Sequence, residues 1–64
     1  MAIQVRVFRR IVEVGNLDTA ISEVSVEANA FLQTVAAVDV GDVKSETVAV
    51  VNGRVMFSIT VVYV

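Results

Sequence analysis

Apolar and polar residues alternate near the start of the chain, where Gln4 and Arg6 separate Ile3, Val5 and Val7. A period of two is typical of a β-strand with one buried face. The two successive arginines that follow interrupt the alternation. The pattern therefore predicts a first strand that is either bulged or continued by a second short segment.

The middle of the chain has a different period, with apolar residues at spacings of three and four. They are Leu17, Ala20, Ile21, Val24, Ala28, Phe31, Leu32 and Val35. This spacing places them on one face of a helix of about twenty residues. Asn16 stands where an N-cap is expected, and Asp18 suits the positive end of the helix dipole.

Two apolar runs rich in valine end the chain, and Asn52-Gly53 joins them. Asn-Gly between strand-forming runs predicts a hairpin with a type I′ turn, because both central positions need a positive φ. A two-residue loop then places Val51 opposite Arg54 and Val48 opposite Phe57.

Continued without a break, this register carries Glu46 opposite Ile59 and Lys44 opposite Val61, on the apolar face. Burying such charges would cost several kcal/mol each. We therefore predict a one-residue bulge within residues 44–47, which would turn Val43 inward, or an outward flare of the strand.

These elements predict a single α+β domain over residues 1–64, in the order β-α-β-β. With the most apolar strand in the centre, the sheet has three antiparallel strands in the order 1-3-2, and the helix packs on one face. The last strand is apolar on both sides, so the second face of the sheet is left open. We expect that face to carry Phe8 or Arg6, together with an oligomer interface formed by Met56, Val62 and Val64.

The composition favours self-association. The chain has 64 residues, of which 56% are hydrophobic, and it contains neither Cys nor His. Domains of this size are marginally stable without a disulfide, a metal or a partner. The absence of Cys and His removes the first of these and the usual zinc ligands, so oligomerisation remains.

The same composition excludes most catalytic chemistry, since there is no His for a general base and no Cys nucleophile. We expect a protein that is not an enzyme and has no cofactor or metal. Asp39 and Asp42 could hold a hard cation, but a role in the turn around Gly41 is favoured. A net charge of −2 argues against general binding to nucleic acid or anionic membranes. No signal peptide or membrane-spanning run is visible, so a soluble, cytoplasmic protein is expected.

The arginines are the candidate ligand-binding residues: Arg6, Arg9 and Arg10 in the first strand and Arg54 at the hairpin, with Tyr63 as a neighbour. In a symmetric oligomer they could gather at subunit interfaces and bind an anionic, nucleotide-like ligand. The alternative is that they keep an edge strand solvated.

Several segments resemble the small sporulation proteins of the Cse type, which also occur in phages. The similar segments are VRVF near the start, Asn29-Ala30-Phe31-Leu32, VDVGDVKSE with its Lys44, and the closing VMFSITVVYV with Tyr63. The chain differs from that family in its RRIVEV segment and its short Asn-Gly turn. The family has no catalytic motif, so the resemblance implies an accessory protein of a phage or mobile element.

The sequence therefore leaves two alternative functions. The first is a non-enzymatic homo-oligomeric accessory protein that binds itself or a host protein. The alternative is a sponge-like protein that sequesters an anionic small molecule between its subunits.

Overall fold

The computed structural model describes residues 2–64 and has the predicted α+β architecture. Strand β1 (Gln4–Glu13) leads through a 3-10 turn (Val14–Asn16) into helix α1 (Leu17–Leu32). After a second 3-10 turn, β2 (Val40–Ala49) and β3 (Arg54–Tyr63) form a hairpin. The sheet order is β1-β3-β2, and both strand pairs are antiparallel.

Strand β1 is continuous, and the bulge or second segment predicted after its first residues is wrong. It pairs with β3 without a shift from Gln4, opposite Tyr63, to Glu13, opposite Arg54. The two successive arginines fit this regular strand because neighbouring side chains point to opposite faces. Arg10 therefore points toward α1, while Arg9 points away from it.

Helix α1 packs mainly on β1 and β3. On β1 it covers the side that carries Phe8, whose ring lies 5.7 Å from that of Phe31 in α1. The expectation that Phe8 or Arg6 lies on the open face is thus wrong. The aromatic ring takes the covered side, and the smaller Val5 and Val7 face outward.

The buried apolar core is small. It comprises Ala20, Val24 and Ala28 of α1, packed against Phe57 and Val61 of the central strand. Two alanines in the helix allow its backbone to approach the sheet closely. Strand β2 lacks this cover, and every one of its residues after Val40 is exposed.

The hairpin turn has the predicted geometry. Asn52 and Gly53 have φ values of 55° and 73°, and the Arg54 amide donates a 3.1 Å hydrogen bond to the Val51 carbonyl. The Val50 amide also donates to the Arg54 carbonyl, at 2.9 Å. Val50 and Val51 are thus both hydrogen-bonded to Arg54, which is a one-residue β-bulge next to the turn.

This bulge shifts the register of β2. Val48 lies opposite Met56, not Phe57, so the register predicted from a two-residue loop is wrong. The bulge predicted within residues 44–47 is also misplaced, although its consequence holds. Val43 points to the side of α1, whereas Lys44 and Glu46 point away from it. A second register shift lies between Val40 and Asp42.

The helix is shorter than its apolar stripe and differs from prediction at its start. It has 16 residues, and Asn16 precedes it without a side-chain capping bond. The 3-10 turn supplies a backbone bond instead, from the Leu17 amide to the Val14 carbonyl. At the other end, Thr34 Oγ1 donates a 2.6 Å hydrogen bond to the Phe31 carbonyl. Within residues 2–64, no helix has the length and apolar character needed to cross a membrane.

Candidate functional site

The helix does not cover the side of the sheet turned away from α1, and we call that side the open face. It consists of alternate residues from all three strands. They are Val5, Val7, Arg9, Ile11 and Glu13 of β1, Arg54, Met56, Ser58, Thr60 and Val62 of β3, and Asp42, Lys44, Glu46 and Val48 of β2.

Residues of the open face form rows across the strands. One row is wholly apolar and runs from Ile11 through Met56 to Val48. Toward the other end of the sheet, Val5 lies beside Val62. Ile11 is 55% exposed and Val5 60% exposed, so apolar surface is exposed on either side of the middle of the face. Charged residues border both patches, with Asp42 opposite Val62 and Glu13 opposite Arg54.

A polar row lies between these apolar patches. Arg9 is opposite Ser58, which is in turn opposite Glu46. Ser58 is only 7% exposed, because longer side chains surround its small one in the middle of the sheet. The centre of the open face thus has a cation on one side and an anion on the other.

The dimensions of the chain are those of an extended plate. Its radius of gyration is 13.0 Å, whereas a compact domain of this length would have one of about 10.7 Å. Its accessible surface is 4480 Å², against about 4,000 Å² for a compact monomer of its mass. A sheet covered by a helix on one side only gives the chain this flat shape.

The predicted interface residues lie in two places. Met56 and Val62 are on the open face. Val64 follows the end of β3, where its amide donates a 2.9 Å hydrogen bond to the Asp39 carbonyl. Sequence reasoning missed Val5, Val7, Ile11 and Val48 as parts of the same face. Placing Phe8 under the helix would have found the first three, because alternation then turns them outward.

The five candidate ligand-binding residues are not brought together in one site. Arg9 lies on the open face and Arg54 at one end of the same face, opposite Glu13, while Arg6 and Arg10 lie on the side of α1. Arg54 and Tyr63 stand at opposite ends of β3, roughly 30 Å apart for an extended strand. Within one chain, the structure separates these residues into at least three locations.

Arg10 is already paired. Its Nη2 donates a 2.7 Å hydrogen bond to Glu27 Oε1, and its Nε lies 3.8 Å from Glu23 Oε2. An open depression of about 350 Å³ lies here, lined also by Ser22 and Val26. Two carboxylates against one guanidinium make this depression unsuited to an anion. No group of three acidic residues able to hold a metal occurs within residues 2–64.

Arg6 and Tyr63 do belong to one cluster. The Arg6 guanidinium carbon lies 5.5 Å from the centre of the Phe8 ring and 5.4 Å from that of Phe31. Phe31 and Tyr63 have ring centres 5.1 Å apart in an edge-to-face arrangement. The Tyr63 hydroxyl donates a 3.3 Å hydrogen bond to Gln4 Oε1. In the described part of the chain Arg6 forms no ion pair, so two rings hold a cation whose charge is uncompensated.

Comparison with known proteins gives no relative for this chain: no family model, curated protein or solved structure matches it. The resemblance to the Cse-type sporulation proteins stays a prediction from sequence. The open face and the cluster around Arg6 are therefore the two candidate sites, and both rest on the geometry described above.

Proposed function

We propose that the protein is a non-enzymatic, homo-oligomeric accessory protein that acts by binding through its open face. The observation that supports this most strongly is the exposure of apolar side chains on that face. Val5, Val7, Ile11 and Val48 are all exposed in the single chain. Exposed apolar patches of this kind mark interaction sites in soluble proteins.

The energetics favour a second copy as a partner. Burying apolar surface stabilises a protein by about 25 cal/mol per Å², and the internal core of this chain consists of few residues. A second copy that covers the open face would bury additional valine, isoleucine and methionine side chains without the need for a longer chain. Folding and association would then depend on each other.

The absence of obvious catalytic groups supports a binding role. The sequence contains no His or Cys. Among residues 2–64, Ser58 is the only buried polar residue, and the acidic and basic side chains lie at the surface. Activated catalytic groups usually sit in clefts where burial and neighbours change their protonation. The resemblance to Cse-type proteins and the predicted cytoplasmic location are consistent with an accessory protein. If the protein also binds a host protein, that partner would compete with a second copy of the chain for the open face.

A charge placed on the open face tests the proposal. Ile11→Glu should reduce the oligomer to monomers or unfold it, because it places a carboxylate in an apolar row. Val26→Glu is the matched control, since Val26 is 68% exposed but lies on α1. Light scattering coupled to size-exclusion chromatography reports the mass of each variant. Equal masses for the parent and both variants would contradict the proposal.

A second candidate function is sequestration of an anionic, nucleotide-like ligand, and the stacked Arg6 favours it. Two aromatic rings restrict its guanidinium, while its N–H groups stay free to donate bidentate hydrogen bonds to a phosphate. Calorimetric titration of mono- and cyclic nucleotides should show binding that Arg6→Ala abolishes and Arg9→Ala preserves. The absence of heat from every nucleotide, or equal affinity in both variants, would exclude this function.

A further inference from the structure

We propose that two copies of the chain pack open face to open face about a two-fold axis parallel to β3, so that Arg9 of each copy pairs with Glu46 of the other. This inference rests on the proposed function and specifies the partner and the geometry. The occupant of the open face is a second copy of the same chain, and its recognition depends on the polar row at the centre of the sheet.

Within residues 2–64, the two charged residues of the polar row do not pair with each other and are therefore available to a partner. Arg9 and Glu46 stand on the two edge strands and flank Ser58 of the central strand. Their backbones are therefore about 10 Å apart. Neither side chain forms an ion pair within residues 2–64. The small Ser58 between them leaves room for another sheet to approach.

Symmetry turns this row into two ion pairs. A two-fold axis parallel to the central strand places β1 of one copy over β2 of the other and keeps each row level with itself. Arg9 then faces Glu46 of the second copy, and the reciprocal pair forms by the same operation. The apolar row is matched at the same time, because Ile11 faces Val48 and Met56 faces its own copy.

The other two-fold arrangement of the same faces is less favourable. An axis across the strands places each strand over its own copy, so Arg9 meets only β1 residues and Glu46 only β2 residues. One register would pair Arg9 with Glu13, and a different one would pair Glu46 with Lys44. No single register satisfies both central charges.

The position of the row also suits the twist of packed sheets. Facing sheets stack about 10 Å apart and are rotated by about 30°. This rotation displaces the ends of the strands most and their middle least. Arg9 and Ser58 lie midway along β1 and β3, so the two ion pairs stay aligned. Long arginine and glutamate side chains can meet across the gap, beside the apolar row of Ile11, Met56 and Val48, which limits screening by water on that side.

Charge-reversed chains that are mixed test the geometry. Arg9→Glu alone and Glu46→Arg alone should each weaken self-association by roughly tenfold or more, because each places like charges in contact twice. An equimolar mixture of the two variants should recover association close to that of the parent, since opposite charges face each other in the mixed dimer. The double variant Arg9→Glu, Glu46→Arg should also recover it. Sedimentation velocity of one fluorescently tagged variant follows the mixed species.

The controls separate this inference from the proposed function. Asp18→Arg should leave association within about threefold of the parent, because Asp18 is an exposed residue in the first turn of α1 and lies outside the open face. Recovery in the double variant without recovery in the mixture would mean that the pair lies within one chain, and would overturn the inference. Single variants that associate like the parent would overturn it as well. A parent that is monomeric at every concentration would instead overturn the proposed function itself.

Discussion

The Arg10 guanidinium donates a 2.7 Å hydrogen bond to the carboxylate of Glu27 and thereby joins the edge strand β1 to helix α1. The two side chains are 41% and 45% exposed. Solvent screens such a pair, so its contribution to stability is modest. Strand alternation places Arg10 on the side of α1, and the pair links its guanidinium to the helix.

We expect Glu27→Gln to lower the free energy of unfolding by roughly 0.5 kcal/mol at low salt, with the difference fading as salt is added. Glu23→Gln is the matched control, because Glu23 approaches the same guanidinium only to 3.8 Å and its replacement should cost less. Urea denaturation at two ionic strengths measures both. A larger loss for Glu23→Gln would show that the closer pair is not the stronger one.

The positive φ of Gly53 in the hairpin turn can be tested by substitution. Gly53→Ala should destabilise the protein by about 1 kcal/mol, because an alanine side chain disfavours a positive φ. Gly15→Ala is the matched control. A Cβ at either position would meet no atom within 4 Å, but only Gly53 has φ in the left-handed region. Equal melting temperatures for the two variants would contradict the turn geometry.

Two valines of α1 test the position of the core. Val24 is fully buried, whereas Val26, two residues further, is largely exposed. Val24→Ala should cost about 2 kcal/mol, and Val26→Ala should change stability by less than about 0.5 kcal/mol. Chemical denaturation of both variants measures the difference. Similar losses would mean that α1 is rotated about its axis relative to the sheet.

Much of the fold follows from local patterns in the sequence. The order of elements, the sheet order and the Asn52-Gly53 turn were predicted, because periodicity and turn chemistry are local properties. The side of β1 that meets α1 was not, since apolar residues lie on both faces of that strand. The contact between Phe8 and Phe31 decides it, and that contact depends on tertiary packing.

The register of β2 shows a second limit of local reasoning. The polarity of Glu46 correctly indicated that a phase change was needed. Its place at Val50-Val51 depends on backbone hydrogen bonds to Arg54 next to the turn, which no pattern of side chains encodes. The positions of the candidate site residues also depend on the structure of β1 as a regular strand. Arginines that are adjacent in sequence, Arg9 and Arg10, lie on opposite faces because a strand alternates.

The most direct test of self-association through the open face is the melting temperature of the parent chain over a wide range of concentrations, with its mass measured by sedimentation equilibrium on the same samples. If folding depends on covering that face, the melting temperature should rise with concentration and the folded species should have at least twice the mass of the chain. A folded monomer with a melting temperature independent of concentration would contradict the proposed function.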